Sequence, residues 1–195
     1  MSIERQVQPT LHTYRLTLRP FTLADAADVQ RLAGVPEVGK TTGAVPYPCL
    51  DGMAEEWINQ HQSQFERGIG IVYAVTVETD ICGCVSLGVT AAHRRAELWY
   101  WMGVPYWNNG YTTEASAALV EYGFNTLHLH RIYASHLTRN PASGRVLQKL
   151  GMVHEGTKRQ HMLVDGVFED ADCYGLLAED WRNLARNSPI CKPNG

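Results

Sequence analysis

The stretch YWNNGYTTEA, Tyr106 to Ala115, joins two segments with different patterns. The preceding segment AELWYWMGV, Ala96 to Val104, is a hydrophobic run typical of a buried strand. After the glycine, apolar side chains recur at the spacing of one helix face: Ala115, Ala118, Leu119 and Tyr122. The sequence therefore predicts a strand, a tight turn and an amphipathic helix that begins at Thr112.

A turn of this composition can hold a phosphate group. The Asn109-Gly110 pair can adopt positive φ, and Thr112 or Thr113 can cap the helix. The unpaired N–H groups of a first helical turn attract an anion without a basic side chain. The residues alone leave two interpretations open, an anion-binding turn and a plain connection between strand and helix.

A second stretch, GVPEVGKTT from Gly34 to Thr42, matches the phosphate-loop signature G-x-x-x-x-G-K-[ST]. That loop needs a strand before it and a helix that starts at its Lys-Thr pair. Here the preceding residues have helical spacing, and Gly43, Pro46 and Pro48 interrupt any helix that follows. Pro36 also removes one backbone N–H from the loop. We therefore predict that this stretch does not bind ATP.

The composition favours one globular domain with no extended charged surface. The chain has 195 residues, 45% of them hydrophobic, and 17 Lys+Arg against 20 Asp+Glu give a formal net charge of -3. Such a balance gives no general attraction for nucleic acid, so a phosphate must be held locally. The N-terminus lacks the apolar core of a secretory signal, and no apolar run approaches the roughly 18 residues of a membrane helix. We expect a cytoplasmic protein without a nucleic-acid or membrane partner.

The cysteines do not form a metal-binding pattern. They are scattered along the chain: Cys49, Cys82, Cys84, Cys173 and Cys191. Cys82 and Cys84 are close, and residues two apart on a regular strand point to the same face. Because no second pair or nearby His completes a zinc site, we predict no metal and expect reduced thiols that act as small core residues.

The other patterns predict one mixed α/β domain over residues 1–185 and a flexible tail over 186–195. The predicted helices cover 24–33, 51–68, 112–124 and 141–150. The predicted strands cover 15–19, 71–77, 81–88, 96–104 and 131–137, and a hairpin follows at 159–164 and 167–177 around an Asp165-Gly166 turn.

Six segments follow one another between Leu11 and Trp181: TYRLTLRPFTLADAADV, VPYPCLDGMAEEWI, YWNNGYTTEA, RNPASGRVLQKLGM, EGTKRQHMLVDG and DADCYGLLAEDW. In this order they resemble the GNAT N-acetyltransferases of the RimJ/RimL type. The resemblance implies a GNAT fold of the α/β (α+β) class, with a mixed, mostly antiparallel sheet flanked by helices. The sheet would splay between the strand that ends near Val104 and the strand at Arg131 to Leu137. Acetyl-CoA, the co-substrate, would lie in that opening.

The resemblance also implies which residues contact acetyl-CoA. The pyrophosphate would bind the backbone amides of Asn108, Asn109, Gly110, Tyr111, Thr112 and Thr113, and the pantetheine would pair with the backbone of Met102, Gly103 and Val104. Asn140 and Ser143 would add contacts, although Asn-Pro-x-Ser is also a good helix start. The family commonly has Gly at Asn108 and Gly or Ala at Thr112. The larger side chains here either narrow the approach of the phosphates or add donors.

The chemistry needs an oxyanion donor and a proton for the leaving thiolate. A backbone N–H near Met102 or Gly103 is the expected oxyanion donor. Many GNAT enzymes use a Tyr as the acid, but Leu147 stands at its place. The RimL-like pattern implies Ser143 instead.

The general base is less clearly marked. A Glu of the RimL pattern aligns with Met162, which cannot act, and the neighbouring His161 should point to the other face of its strand. Glu97 lies among aromatic residues that could raise its pKa into the working range. Glu97 could equally form an ion pair with Arg94 or Arg95 at the surface. In that case a water molecule would act as the base, or the reaction would have no dedicated base.

The expected activity is that of an N-acetyltransferase, an acyltransferase that moves an acetyl group to a primary amine by direct attack in a ternary complex. The acceptor is a protein N-terminus or a small amine, and the protein is a monomer or a homodimer. Tyr47, Trp57 and Trp101 are candidates for an apolar slot. The acidic group Glu169, Asp170 and Asp172 either attracts a cationic amine or forms a polar edge.

Two other functions remain possible from the sequence. Leu147 and Met162, at two usual chemical positions, suggest a catalytically silent acyl-CoA-binding module. A nucleotide-binding protein would rest on Gly34 to Thr41 alone.

Overall fold

The computed structural model describes residues 7–41 and 47–187. The described helices are α1 (Ala26–Ala33), α2 (Pro36–Gly39), α3 (Met53–Glu66), α4 (Tyr111–Asn125), α5 (Pro141–Lys149) and α6 (Ala178–Asn187). The strands are β1 (Leu11–His12), β2 (Thr17–Arg19), β3 (Gly70–Val77), β4 (Asp80–Thr90), β5 (Arg95–Met102), β6 (Arg131–Leu137), β7 (Val153–Val164) and β8 (Val167–Leu177). Within these ranges no helix combines the length and apolar character needed to cross a membrane.

The described strands form one sheet in the order β1-β2-β3-β4-β5-β6-β8-β7. Neighbours are antiparallel except for β5 and β6, which run parallel and pair only through Arg95–Glu97 and Arg131–Tyr133. Beyond these residues β5 stays bonded to β4 as far as Met102, while β6 stays bonded to β8 as far as Leu137. The two strands therefore diverge and leave a gap in the middle of the sheet, as predicted.

Helices cover both faces of the sheet, and each face has its own cluster of buried side chains. The cluster on the α4 and α6 side includes Leu119, Phe124, Ile132, Leu176 and Trp181. The cluster on the α1 and α3 side includes Val29, Leu32, Ile58, Val72 and Trp101. Because side chains alternate along β5, Leu98 enters the first cluster and Trp101 the second. The predicted α/β class is confirmed.

Most predicted elements are confirmed, with shifts of a few residues at their ends. Asp165 and Gly166 both have positive φ, 48° and 78°, as the favoured two-residue hairpin turn requires. The short strand β1, the short helix α2 and the helix α6 were not predicted. Because α6 continues to Asn187, the predicted tail overlaps its last two residues, and residues 188–195 lie outside the described ranges.

The prediction that Cys82 and Cys84 share a face is wrong. Val75 pairs with Gly83 and Thr76 pairs with Ile81, so Cys82 is an extra residue in β4, a β-bulge. The extra residue reverses the alternation, and the two thiols enter opposite clusters. Both are buried, which raises their pKa values, and both are free thiols, as expected for core residues.

Leu119 tests how far the α4 side of the core depends on close packing, because its side chain is fully buried. Replacing Leu119 with Ala should lower the free energy of unfolding by about 2 to 5 kcal/mol, since it leaves a cavity. Urea denaturation measures the change. Glu121→Ala, at an exposed position of the same helix, is the control and should change stability by less than about 0.5 kcal/mol. Equal losses in the two variants would contradict this assignment of the core.

Candidate active site

The gap between β5 and β6 opens into a cavity of about 340 Å³, called the main cavity below. It is lined by the end of β5, the turn before α4 with the first turn of that helix, one side of α5, and the segment that contains Glu37, Val38 and Thr41. A narrower recess of about 30 Å³ lies between Leu98–Tyr100 on β5 and Ser135–Leu137 on β6. Tyr100, Ser143 and Thr41 line both spaces. A long ligand in the main cavity can therefore direct one end toward the recess.

The backbone of β5 directs hydrogen-bonding groups toward the gap. Gly103 N–H donates to the carbonyl of Cys82 at 2.9 Å, so Gly103 faces β4. Since the direction alternates along an antiparallel strand, Met102 and Tyr100 turn their backbone groups the other way. The indole Nε1 of Trp107 donates to the Met102 carbonyl at 2.7 Å. Of the two predicted oxyanion donors, Gly103 is thus used within the sheet, and Met102 N–H is directed at the gap.

Helix α4 presents an uncapped N-terminus to the main cavity. Its N-cap is Gly110, with a φ of 78°, and no side chain caps the helix, so the prediction that Thr112 or Thr113 would do so is wrong. The N–H groups of the first turn have no partners within the helix. Gly110, Thr112 and Thr113 all line the cavity. These donors, together with the helix dipole, can hold an anion.

The turn before α4 also explains why asparagine is tolerated where the related family commonly has glycine. Asn108, rather than Asn109, has positive φ, 62°. Asn adopts this left-handed conformation more readily than most residues with a side chain. The Asn109 side chain donates to the carbonyl of Trp107 at 3.1 Å and so stiffens the turn.

Arg15 braces this turn from a distant part of the sequence. Its Nη1 donates to the carbonyl of Asn109 at 3.0 Å, and its Nε donates to Glu114 Oε2 at 2.7 Å. Glu114 also accepts from the hydroxyl of Thr13 at 2.6 Å. Burial would raise the pKa of Glu114, but these hydrogen bonds and the nearby guanidinium hold it below its usual value. Arg15 was not predicted as a site residue, because no local sequence pattern indicates a contact between residues 94 positions apart.

The start of α5 brings two predicted site residues together. Asn140 is the N-cap, and its Oδ1 accepts from Ser143 N–H at 3.3 Å. The capping interpretation of Asn140 therefore holds in this structure. Asn140 also lines the main cavity, and capping uses only its carbonyl oxygen, so its NH₂ group can still donate to a ligand.

Tyr100 is a site residue that was not predicted from the sequence. Its hydroxyl lies 2.7 Å from Ser143 Oγ and 3.2 Å from the Ser143 carbonyl. Burial raises its pKa, so the phenol remains protonated and able to donate. A tyrosine on β5 thus contacts the serine of α5, whereas Leu147 is fully buried in the core.

His136 lines the recess, and one of its ring nitrogens has the lone pair of a hydrogen-bond acceptor. Its Nδ1 lies 2.8 Å from the carbonyl of Leu137, which can only accept, so Nδ1 carries the hydrogen. Its Nε2 is buried without a partner among the described residues. Gly144 lies beside this nitrogen, and a Cβ there would come within 2.7 Å of it. His136 was not predicted, because no local sequence pattern marks it.

Glu97 lies at the closed end of the gap, opposite Tyr133 in the last residue pair of β5 and β6. Burial raises its pKa, and the effect is reduced mainly by the charge of Lys158 and a hydrogen bond from Trp99. The alternative ion pairs are not formed. Arg94 donates to a backbone carbonyl at 2.7 Å, and Arg95 lies over an aromatic ring at 5.8 Å.

The pairing of β7 with β8 is irregular between Lys158 and Met162, and His161 lies in this irregular stretch. His161 is exposed and interacts electrostatically with Glu97. The expectation that His161 points to the other face of the strand from Met162 stays a prediction. Met162 lines the recess, as the resemblance implied for that position.

The first phosphate signature forms a strap, Pro36–Thr41, that reaches from α1 to the β7–β8 hairpin. Lys40 Nζ pairs with Asp165 at 3.0 Å, and Arg139 Nη2 donates to the Lys40 carbonyl at 3.0 Å. The Thr41 hydroxyl donates to the Val38 carbonyl at 2.9 Å. The two phosphate-binding positions of the signature therefore bind the protein itself, and the strap follows a helix, as predicted. Gly43 and Pro46 lie outside the described ranges.

The structure brings most of the predicted coenzyme residues together. Those that line the main cavity are Met102, Asn108, Gly110, Thr112, Thr113, Asn140 and Ser143. Gly103, Val104, Asn109 and Tyr111 are not part of its lining. Gly103 instead packs on Leu32, where a Cβ would come within 2.7 Å of that side chain. Two exposed cations of α5, Arg145 and Lys149, also line the cavity.

The residues considered for the acceptor divide into two groups. Trp57 and Trp101 line a separate cavity of about 190 Å³ on the α3 side of the sheet, but Tyr47 instead packs on Gly39. The acidic residues are bonded to nearby groups: Glu169 to Arg139, Asp170 to Gln160 N–H and Asp172 to the Thr157 hydroxyl. These bonds favour the polar-edge interpretation of the acidic group.

Comparisons with known proteins agree with this architecture. Residues 15–153 match the family described as an acetyltransferase (GNAT) domain. The N-acetyltransferase YoaA of Bacillus subtilis is 31% identical over 172 residues, which cover 87% of this chain and 97% of YoaA. The [ribosomal protein uS5]-alanine N-acetyltransferase of Escherichia coli is 31% identical over 106 residues, 53% of this chain and 55% of that protein. Mycobacterium smegmatis RimJ, solved with CoA-disulfide, superposes with a TM-score of 0.76 at 23% identity and covers 88% of each chain.

A central gap between parallel strands, facing an uncapped helix N-terminus, defines an acyltransferase-type site. The chain belongs to the GNAT acetyltransferase family, and it is an N-acetyltransferase. The ribosomal-protein enzyme among its relatives is consistent with the predicted RimJ/RimL-type branch, and the RimJ structure has the same fold.

The bracing of the α4 turn predicts a specific pH dependence. The pKa of Glu114 is lowered in the folded state, so its contribution to stability is present above the ordinary value of 4.5 and is lost as the pH falls through the folded-state pKa. Glu114→Gln should lower the free energy of unfolding by about 1 to 2 kcal/mol at pH 7, and the difference from wild type should shrink below pH 4.5. Urea denaturation at several pH values measures it. Glu121→Gln, on the same helix and exposed, is the control; a constant difference for Glu114→Gln across the pH range would refute the assignment.

Proposed function

We propose that this protein transfers the acetyl group of acetyl-CoA to a primary amine by direct attack of the amine in a ternary complex. The observation that carries the proposal is the gap between β5 and β6, which the uncapped N-terminus of α4 and the polar start of α5 both face. GNAT acetyltransferases use acetyl-CoA, and the residues around this gap fit its parts.

The pyrophosphate of acetyl-CoA fits the N-terminus of α4. The N–H groups at Gly110, Thr112 and Thr113 donate to it, and the helix dipole favours its charge. Arg145 and Lys149 supply cations on the opposite wall. Charge neutralisation therefore comes from these local groups and not from the net charge of the chain.

The pantetheine arm fits the backbone of β5, as an added strand would. Met102 N–H faces the gap and is free of the β4 ladder, so it can donate to an amide carbonyl of the arm or to the thioester oxygen. The Met102 carbonyl already accepts from Trp107. In this arrangement the arm receives a hydrogen bond from Met102, and Trp107 fixes the end of β5.

The proton balance of the reaction assigns roles to Ser143 and Tyr100. The amine nitrogen forms a bond to the carbonyl carbon, the C–S bond breaks, and the CoA thiolate leaves. When Tyr100 donates to Ser143 Oγ across their 2.7 Å contact, the hydroxyl hydrogen of Ser143 is free to donate to the sulfur. We assign Ser143 as the acid that meets the leaving group and Tyr100 as the residue that positions it.

The proton released by the amine needs an acceptor. Glu97 has a raised pKa and lies at the closed end of the gap, so we assign it as the base, acting through water. The partnerless Nε2 of His136, beside the recess, is the second candidate. In both cases the amine must be neutral before it attacks the carbonyl carbon.

The acceptor belongs to the class of primary amines. The relative that acts on an alanine of ribosomal protein uS5 supports a protein N-terminus, and a small amine is the alternative. A silent acyl-CoA-binding module is the rival function, since Leu147 is a core residue and Met162 stands at the recess. Such a module would bind acetyl-CoA and release no CoA with any amine.

Calorimetric titration tests the coenzyme site directly. Acetyl-CoA and CoA should bind, and Mg-ATP should give no signal, because Lys40 and Thr41 are engaged within the strap. Gly110→Pro should weaken acetyl-CoA binding by about tenfold or more, since it removes an N–H donor and forbids the positive φ of 78°. Gly52→Pro is the control, because Gly52 is also an N-cap glycine, with a φ of 87°, at the start of α3. Binding of Mg-ATP without acetyl-CoA would refute the proposed function.

Steady-state kinetics test the roles of Ser143 and Tyr100. Ser143→Ala should lower kcat by about 100-fold, because it removes the hydrogen-bond donor to the sulfur. Tyr100→Phe should lower kcat by about tenfold and leave the Kd of acetyl-CoA unchanged, because only the orientation of Ser143 is lost. Tyr122→Phe, a half-buried tyrosine of α4, is the control and should leave kcat unchanged. An unaltered kcat in Ser143→Ala would show that the thiolate needs no protein donor.

A further inference from the structure

The cavity of about 190 Å³ on the α3 side of the sheet, called the slot below, has no part in the steps assigned so far. Its walls come from α3, β3, β4 and β5, and they include Trp57, His61, Val72, Ser86, Trp99 and Trp101. Val72, Ser86 and Trp99 are neighbours across three adjacent strands, so their side chains share one face. The slot is therefore formed by one face of the sheet and covered by α3.

The slot adjoins the proposed reaction centre. Trp99 and Tyr100 line both the slot and the recess, and Tyr100 and Trp101 line both the slot and the main cavity. The three spaces therefore meet at one short part of β5. Trp57 and Trp99 are only partly buried, so the slot can be entered from the surface. A group held in the slot would lie on the side of β5 opposite to the α4 face.

The lining of the slot favours an uncharged occupant. Among the described side chains that form it, none is Asp, Glu, Lys or Arg. His61 is buried in contact with Trp57, with a ring-centroid separation of 4.3 Å, and burial lowers its pKa to about 4, so the imidazole is neutral at pH 7. Neither nitrogen of His61 nor the indole nitrogen of Trp101 has a partner in the described chain, and all three atoms are shielded from water. A cation in this space would lose its hydration and find no carboxylate among the lining residues.

The size of the slot limits the occupant to about one ring. A dry protein cavity of roughly 150 Å³ accommodates benzene, and the slot has about 190 Å³. The indoles of Trp57, Trp99 and Trp101 surround it. Aromatic side chains pair well with one another edge to face, as Phe21 and Trp57 already do here at 5.2 Å. A six-membered aromatic ring fits both the volume and the walls.

We propose that the slot binds the side group of the acceptor amine, and that this group is a single uncharged aromatic ring close to the reacting nitrogen. The inference rests on the proposed acetyl transfer and names its acceptor class: primary arylalkylamines, or a chain whose first residue carries such a ring. In this arrangement the thioester lies at the recess between β5 and β6. The acceptor amine reaches it from the slot, and the rest of CoA lies in the main cavity.

Three amines with the same two-carbon linker test the proposal: ethylamine, 2-phenylethylamine and (2-aminoethyl)trimethylammonium. Thiol release from acetyl-CoA gives kcat/KM for each with the full chain. The value for 2-phenylethylamine should exceed that for ethylamine by about 10- to 100-fold, as expected for burial of one ring. The trimethylammonium amine should show no such gain. A greater gain for the trimethylammonium amine would overturn the proposal in favour of a cation-binding aromatic cage.

Matched variants locate the effect. Ser86→Leu places a larger side chain in the slot and should reduce the ratio of 2-phenylethylamine to ethylamine by about tenfold. Ser63→Leu makes the same change at an exposed position of α3 and should leave the ratio as in wild type. If Ser86→Leu does not fold, Val72→Phe narrows the slot from β3. A ratio near one in wild type, or one that both slot variants leave unchanged, would overturn the proposal.

A binding measurement separates failure of the slot from failure of the proposed function. Calorimetry with 2-phenylethylamine is carried out on the CoA-saturated protein, for wild type and Ser86→Leu. Ring-dependent binding that Ser86→Leu weakens, without turnover of any amine, would support the slot and refute acetyl transfer. Turnover of ethylamine with no preference for the ring in rate or binding would support acetyl transfer and refute the slot.

Discussion

The parting of β5 and β6 is the constraint on which the rest of the molecule depends. Backbone N–H and C=O groups in a protein interior need partners, yet the two strands pair only at Arg95–Glu97 and Arg131–Tyr133. The protein satisfies part of this need itself, since the Trp107 indole donates to the Met102 carbonyl, and the side chains of Tyr100 and Ser143 contact each other across the gap. Two sets of backbone donors remain directed at the gap: the Met102 N–H on β5 and the N–H groups of the first turn of α4. These donors set the shape and polarity of any ligand that fits.

Local sequence patterns reported the elements around this gap correctly. The turn at Tyr106 to Ala115, with the strand before it and the helix after it, can be recognised because the pattern that predicts each element lies within about ten consecutive residues. The contacts that complete the site are not local. Arg15 and Glu114 are 99 positions apart, and Tyr100 and Ser143 are 43 apart, so their meeting depends on the order of strands in the sheet. The face of a residue was mispredicted at Cys82, where an irregular pairing breaks the alternation.

The two faces of the sheet contribute different chemical groups to the site. The α4 and α5 side supplies anion-binding donors and the serine, while the α1 and α3 side supplies tryptophans and a neutral histidine. Gly103 lies where these sides meet, and its lack of a side chain lets the end of β5 pack against Leu32 of α1. The position of Met102 N–H is thereby fixed by packing on the face away from the main cavity. Substitutions in α1 that change the packing of Leu32 on Gly103 are therefore expected to move the Met102 N–H without contacting it.

The strap Pro36–Thr41 is held at one point by apolar packing and at its far end by charge. Val38 is buried in the cluster on the α1 and α3 side, whereas Lys40 and Asp165, which form an ion pair, are 45% and 53% exposed. Ion pairs of this exposure are screened by salt. Thr41, next to Lys40, lines both the main cavity and the recess. Ionic strength is accordingly expected to act on the edge of these two spaces while leaving the buried part of the strap unaffected.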